Sequence, residues 1–404
     1  MVRRSAIGLF AVVTLIFALV VVSSPAGAVV DTATIISSPN LGDNANELTS
    51  VSCVSATSCT AVGRYFNVSS WQSLVLSWDG NEWSPVASPN LGDIMNELMS
   101  VSCVSATSCT AVGNYSDDGQ PFTTWVLSWD GNDWSTVTGP DIGGVGTLES
   151  VSCVSATACT AVGFTWNGLT YQTLVLMWDG NDWSIVVSPN IGSGQNILNS
   201  VSCVSATACT AVGQYNNVSN SESLVMAWDG NAWSTVASPN GFQGNVLRSV
   251  SCVSSALCTA AGSYTDNTGV QHSSVMTWND DVWSFDSIPS IGIEALASDF
   301  SSVSCVSATS CTAVGSYSNG TIDQTLVMTW DSSDWSIVLS PNIGDYGNFL
   351  SSLSCVSADF CIAIGNYGND FADLTLVMAL ASPEPVPSTT TTTSSVPVTP
   401  SFAG

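Results

Sequence analysis

The residues with most chemistry to offer in this 404-residue chain are 14 cysteines, one histidine and 31 carboxylates. The cysteines fall into seven Cys-x5-Cys pairs: Cys53 and Cys59, Cys103 and Cys109, Cys153 and Cys159, Cys203 and Cys209, Cys252 and Cys258, Cys305 and Cys311, Cys355 and Cys361. Structural zinc recruits two close pairs or adds histidines, and only His272 is on offer. An even set at one spacing in an exported chain reads instead as a disulfide framework. No nucleophile motif accompanies His272, so it reads as an ordinary loop histidine. Asp-Gly-Asn-Asp at 130–133 and 179–182 matches part of a calcium loop, but the corresponding position of another unit is Ala232 and no glutamate follows at the required spacing. These carboxylates read as hairpin turns. We therefore expect no catalytic residue, no metal and no cofactor.

The cysteine pairs sit inside a larger repeat. SVSCVSATSCTAVG spans 50–63, and near-copies begin at 100, 150, 200, 249, 302 and 352. Each is followed by an apolar run and a double-tryptophan turn, as in LVLSWDGNEW (74–83) and LVLMWDGNDW (174–183). A unit parses into four strands: A around Leu48–Cys53, B at Cys59–Tyr65, C at Leu74–Trp78 and D at Trp83–Ala87. Asp79-Gly80-Asn81-Glu82 suits a tight C–D hairpin, and Val54–Ser58 closes an A–B hairpin that sets Cys53 opposite Cys59. Antiparallel four-stranded units repeated four to eight times make propeller blades. The small residues of strand A suit the crowded axis, and the paired tryptophans suit the wider rim. The fold expected is all-β, a seven-bladed β-propeller with one disulfide per blade.

The ends of the array complete it. The seventh unit stops after strand C at LVMAL (376–380), whereas TATIISSPN (32–40) matches the strand D tail WSTVASPN (233–240). Residues 32–38 are thus expected to complete the last blade and close the ring. Residues 1–28, with Arg3 and Arg4, the apolar run Ile7–Val22 and Ala26-Gly27-Ala28, read as a cleaved signal peptide. The propeller spans 29–381, and 382–404 is a Pro/Thr/Ser-rich disordered tail. The expected location is the extracellular space or the cell surface, with no membrane insertion after cleavage.

The repeat resembles the secreted bacterial propeller repeats that carry SVSC…CxAVG and WDGxxW, through Cys53, Cys59, Gly63, Trp78, Asp79, Gly80 and Trp83. It is distantly similar to kelch and galactose-oxidase-like propellers. The chain lacks the kelch Gly-Gly doublet, and the sialidase-type Asp-box S-x-D-x-G-x-x-W fails where Ser77, Asp79 and Asn81 lead to Ser84. The resemblance therefore implies architecture and no particular activity.

Charge narrows the partners. The formal net charge is −27, and losing Arg3 and Arg4 takes it to −29. Too few cations remain to neutralise phosphates, which excludes nucleic acid and anionic lipid. Comparing units, the A–B and C–D turns are near-identical, whereas the B–C and D–A loops differ, and an antiparallel blade puts both variable sets on one face. Loops on a rigid scaffold are where binding concentrates. The candidate ligand-binding residues there are the aromatics Phe66, Trp71, Phe122, Trp166, Tyr171, Phe242 and Tyr346, for stacking or anchoring. With them go the carboxylates Asp117, Asp118, Glu222, Asp266, Asp323 and Asp370, as hydrogen-bond acceptors. The tyrosines Tyr65, Tyr115, Tyr215, Tyr264, Tyr317 and Tyr367 recur in six units and read as structural. The function expected is a monomeric, non-catalytic module that binds extracellular carbohydrate or protein; a polysaccharide-active hydrolase or lyase using carboxylates on the same face is the alternative.

Overall fold

The computed structural model describes residues 32–382, except 43, 218–219, 280, 293–295 and 371. The expected signal peptide and nearly all of the expected tail lie outside the described residues. The described residues form 28 strands, beginning with β1 (Thr32–Ile36). The first blade is β2–β5 (Asn46–Ser55, Ser58–Asn67, Ser70–Trp78, Trp83–Pro85) and the second β6–β9 (Met95–Ser105, Ser108–Ser116, Thr123–Trp129, Trp134–Val137). The third is β10–β13 (Gly146–Ser155, Ala158–Trp166, Tyr171–Trp178, Trp183–Ile185) and the fourth β14–β17 (Asn196–Ser205, Ala208–Asn216, Ser221–Trp228, Trp233–Thr235). The fifth is β18–β21 (Gln243–Ser254, Leu257–Thr265, Gln271–Asn279, Val282–Phe285) and the sixth β22–β25 (Ala297–Ser307, Ser310–Ser318, Asp323–Trp330, Trp335–Ile337). The seventh consists of β26–β28 (Gly347–Ser357, Phe360–Gly368, Asp373–Ala381) with β1 as its fourth strand. This is a seven-bladed propeller of four-stranded antiparallel blades.

Packing explains the sequence pattern. Strands B and C are sandwiched between neighbouring blades, so both faces must be apolar and the residues form runs rather than alternating. In LVL (74–76), Leu74 and Leu76 join the core shared with the seventh blade, and Val75 joins the core shared with the second. Ala61 and Val62 divide in the same way. Seven such interblade clusters form the interior.

Each cysteine pair is directly cross-strand, as in Cys53 opposite Cys59, and all seven pairs are bonded, with Cα atoms 4.0 Å apart. The A–B turn is tighter than expected: only Ala56 and Thr57 lie outside the strands, because a bulge between Cys53 and Ser55 absorbs a residue. Strands A to C run longer than their apolar cores suggested, since their polar ends still pair, and strand D is shorter because Ser88-Pro89-Asn90 leaves the ladder. That triplet has a job of its own: Asn90 Oδ1 accepts the Ser73 amide at 2.8 Å.

The innermost strands contact one another in the cyclic order β2, β6, β10, β14, β18, β22, β26 and back to β2. Between blades, the serines of SVSC accept amide hydrogen bonds, Ser50 from Val101 at 3.1 Å and Ser52 from Cys103 at 3.0 Å. The seventh blade does the same to the first, through Ser352 to Val51 (3.2 Å) and Ser354 to Cys53 (3.0 Å). β1 pairs antiparallel with β28, from Thr32 opposite Ala381 to Ile36 opposite Val377. Asn40 then accepts the Thr375 amide at 2.8 Å, repeating the role of Asn90 across a gap of 335 residues. No helix among the described residues is long and apolar enough to cross a membrane.

Candidate functional site

The two faces of the disc differ in how their loops are made. On one face the A–B and C–D turns satisfy themselves. Asp79 Oδ1 accepts the amides of Asn81 (2.8 Å) and Glu82 (3.0 Å), which holds its carboxyl below the ordinary range, and Asp130, Asp179 and Asp229 are alike. The first carboxylate of each calcium-loop fragment, Asp130 or Asp179, is thus a turn cap. Trp78 Nε1 donates to Ala56 O at 3.0 Å, tying the C–D turn to the A–B turn.

The other face carries the B–C and D–A loops, and every blade contributes to it. The expected residues lie there as local pairs around the disc rather than in one pocket. Phe66 and Trp71 are cross-strand partners with an edge-on ring contact of 5.4 Å, and the Arg64 guanidinium lies 4.2 Å from the Trp71 ring centroid. Trp166 and Tyr171 form a second edge-on pair at 5.1 Å. Asp117 caps the neighbouring loop by accepting the Asp93 amide at 3.0 Å, and Asp118 and Phe122 are exposed beside it. Glu222 accepts the Tyr215 hydroxyl and an Asn217 side-chain N–H; the first bond pushes the Tyr215 phenol up to about 12. The exposed Tyr346 donates its hydroxyl to Asp370 at 2.6 Å, which raises its own pKa. Asp323 opens β24 and is half-buried. Asn114, which begins an Asn-Tyr-Ser triplet, is buried within β7.

One sector departs from the repeat. After the Ser-Pro-Asn turn the other loops place an aliphatic residue, as with Leu41, Leu91, Ile191 and Ile343, but the loop entering the fifth blade has Gly241. A Cβ at Gly241 would lie 2.8 Å from the Tyr264 ring, so the missing side chain is what admits that ring. Tyr264 accordingly leaves the role of its counterparts. Tyr65, Tyr115, Tyr215, Tyr317 and Tyr367 pack against interblade cores. Tyr264 instead lies against His272 (5.5 Å between centroids) and Phe285 (6.4 Å). Beside it opens a groove of about 500 Å³ lined by Phe242, Tyr264, Phe285 and Asp286, with a second hollow of about 290 Å³ on the His272 side. Phe242 is 68% exposed at its lip. His272 Nε2 lies 2.9 Å from Asp266 Oδ2, and Asp266 also accepts from the Thr268 hydroxyl; the Thr268 bond, then His272, drives its carboxyl far below the usual range. Of the expected residues, Phe242 lines the groove, and Asp266 reaches the second hollow through His272.

A second cluster escaped the sequence reading because its carboxylates lie in strand A, where loop variability gives no signal. Arg64 bridges Glu47 at 2.7 Å and Glu97 at 3.1 Å, at the variable-face end of the innermost strands. Burial raises the Glu97 carboxyl against the pull of Arg64, and burial raises Glu149 against a 2.7 Å hydrogen bond from Thr147. Comparing strand A across units reveals the signal: Glu149 stands where other blades have Thr49, Met99, Asn199 or Arg248.

No protein-family model matches the chain, and no curated protein matches it. Solved structures do. YCF48 bound to D1 peptide superimposes with a TM-score of 0.53 at 12% identity, covering 89% of this chain and 100% of that one. The GH74 xyloglucanase from Xanthomonas campestris gives 0.51 at 11% identity, covering 85% of this chain. This chain spans about half (55%) of that enzyme's length. What is shared is the propeller fold.

Proposed function

We propose that this protein is an exported, non-catalytic propeller that binds carbohydrate or protein on its variable face, with the fifth-blade groove as the principal subsite. The observation that carries the reading is the Gly241–Tyr264 exchange. One blade gives up an aliphatic plug and its tyrosine's core contact, and a hollow with aromatic walls results. Such walls stack on sugar rings or take an apolar side chain of a peptide. Seven disulfides fit an oxidising location, and residues 1–28 supply the export signal. The aromatic pairs Phe66–Trp71 and Trp166–Tyr171 extend the contact surface around the disc. YCF48 carries a bound peptide on the same fold, and at 12% identity that likeness speaks for the scaffold alone.

The test is a screen of the protein on glycan and peptide arrays, with Phe242→Ala and Tyr264→Ala beside the wild type. Retention of a ligand by the wild type and its loss by both variants supports the reading. Ligands held equally by all three overturn it.

A second reading rests on Glu97 and Glu149. Two carboxyls with raised pKa near one another are the raw material of general acid catalysis, which favours a polysaccharide hydrolase or lyase. Release of reducing ends from a polysaccharide panel, abolished in Glu97→Gln or Glu149→Gln, would establish it.

A further inference from the structure

The third residue after the strand D tryptophan is a wedge between blades. It is Val86, Val137, Val186, Val236 and Val338 in five blades, and Ile36 of β1 plays the part in the seventh. All six pack into interblade cores. In the fifth blade the wedge is Asp286, set beside a core that includes Trp335. Its backbone is unchanged: the Asp286 amide donates to Val275 O at 2.9 Å, as Val86 does to Val75 and Val236 to Val225. Only the side chain differs, and a carboxylate in an apolar seam is costly unless it is compensated.

Part of the compensation is visible. Asp286 Oδ2 accepts the Thr277 hydroxyl at 2.9 Å and the Trp335 indole N–H at 3.0 Å. The matching indoles of Trp83 and Trp233 are buried with no partner. Neither donor carries a charge. The arginine side chains among the described residues are spent elsewhere, Arg64 on Glu47 and Glu97, Arg248 on Asp299. Asp286 also borders a crevice of about 340 Å³ between the fifth and sixth blades, opening on the conserved-turn face. Its other walls include Leu257, the Cys305–Cys311 disulfide and the rings of Trp330 and Trp335.

We propose that this crevice binds a small organic cation, an alkyl or aralkyl ammonium, with Asp286 as its counter-ion and the Trp330 and Trp335 rings as its walls. A carboxylate between two indole rings, with Trp335 turning its N–H edge to Asp286, suits a weakly hydrated ammonium. A metal ion is the poorer fit, because the other polar groups on Asp286 are donors and no second carboxylate shares the crevice. The crevice opens on the other face of the disc from the aromatic groove, and Asp286 lines both.

Isothermal titration with benzylammonium chloride, and with benzyl alcohol as the neutral analogue, tests it. The wild type should bind the cation saturably and ignore the alcohol. Asp286→Asn and Asp286→Val should each weaken cation binding by at least about tenfold. The valine variant restores the residue of the other blades, so it should melt no lower than the wild type. Absence of saturable cation binding up to about 10 mM, equal binding of the alcohol, or unchanged affinity in the asparagine variant would overturn the proposal.

Discussion

Ser100 Oγ accepts the backbone amide of Val151 at 3.1 Å, across the boundary between the second and third blades. The same bond recurs at every boundary, through Ser50, Ser150, Ser200, Ser249, Ser302 and Ser352. A serine in strand A is therefore more than a small residue tolerated near the axis. It satisfies an amide of the next blade's innermost strand that has no other partner in its own sheet's ladder, and so fixes the relative height of adjacent blades.

Ser100→Ala should accordingly destabilise the protein by about 1–3 kcal/mol, since a buried amide loses its acceptor. Guanidinium denaturation followed by tryptophan fluorescence measures this. An effect within error would mean that the seam is held by apolar packing alone.

The disulfides act blade by blade. Replacing Cys203 and Cys209 together by serine should cost about 2 kcal/mol, the loop-closure value for so short a loop. Because each bond closes its own hairpin, a second pair removed from the opposite side of the disc should add its own cost nearly independently. Paired single and double knock-outs in the same denaturation assay check this additivity.

β1 supplies the outer strand of the seventh blade, with Ile36 in the core it shares with the first. A chain starting at residue 41 leaves the β28 edge bare, and bare edges recruit other edges. The expected outcome is a lowered melting temperature together with concentration-dependent association in light scattering. A monomer as stable as the full chain would show that the clasp is dispensable.

Burial raises the Glu149 carboxyl in the folded state. Below the unfolded value of about 4.3 both states hold the proton, and the group costs nothing. As pH rises from there, the unfolded chain ionises first, so the folded state loses stability until its own pKa is passed. Glu149→Gln removes that penalty. It should raise the melting temperature by about 1–3 °C at pH 7 and leave it unchanged near pH 3, as calorimetry at the two values would show.

The blades were legible because their signals are covalent and periodic: the cysteine pairs, the double tryptophans and the strand D tail displaced to the start of the chain. The identity of the variable face was legible too, from which loops differ between units. Two things were hidden. Tyr264 obeys the repeat in sequence and breaks it in space, because the deciding change is Gly241, more than 20 positions away. Glu97 and Glu149 sit in a strand whose neighbours mask them, and their burial arises only when several blades converge.

We propose that recognition belongs to the face of the B–C and D–A loops. Hydroxyl-radical footprinting with and without an array-selected ligand tests it most directly. Protection is expected at Phe242 and Tyr264, extending to Trp166 or Tyr346, with the C–D turn residues Trp78, Trp178 and Trp228 unchanged. Protection confined to those turn tryptophans would contradict it.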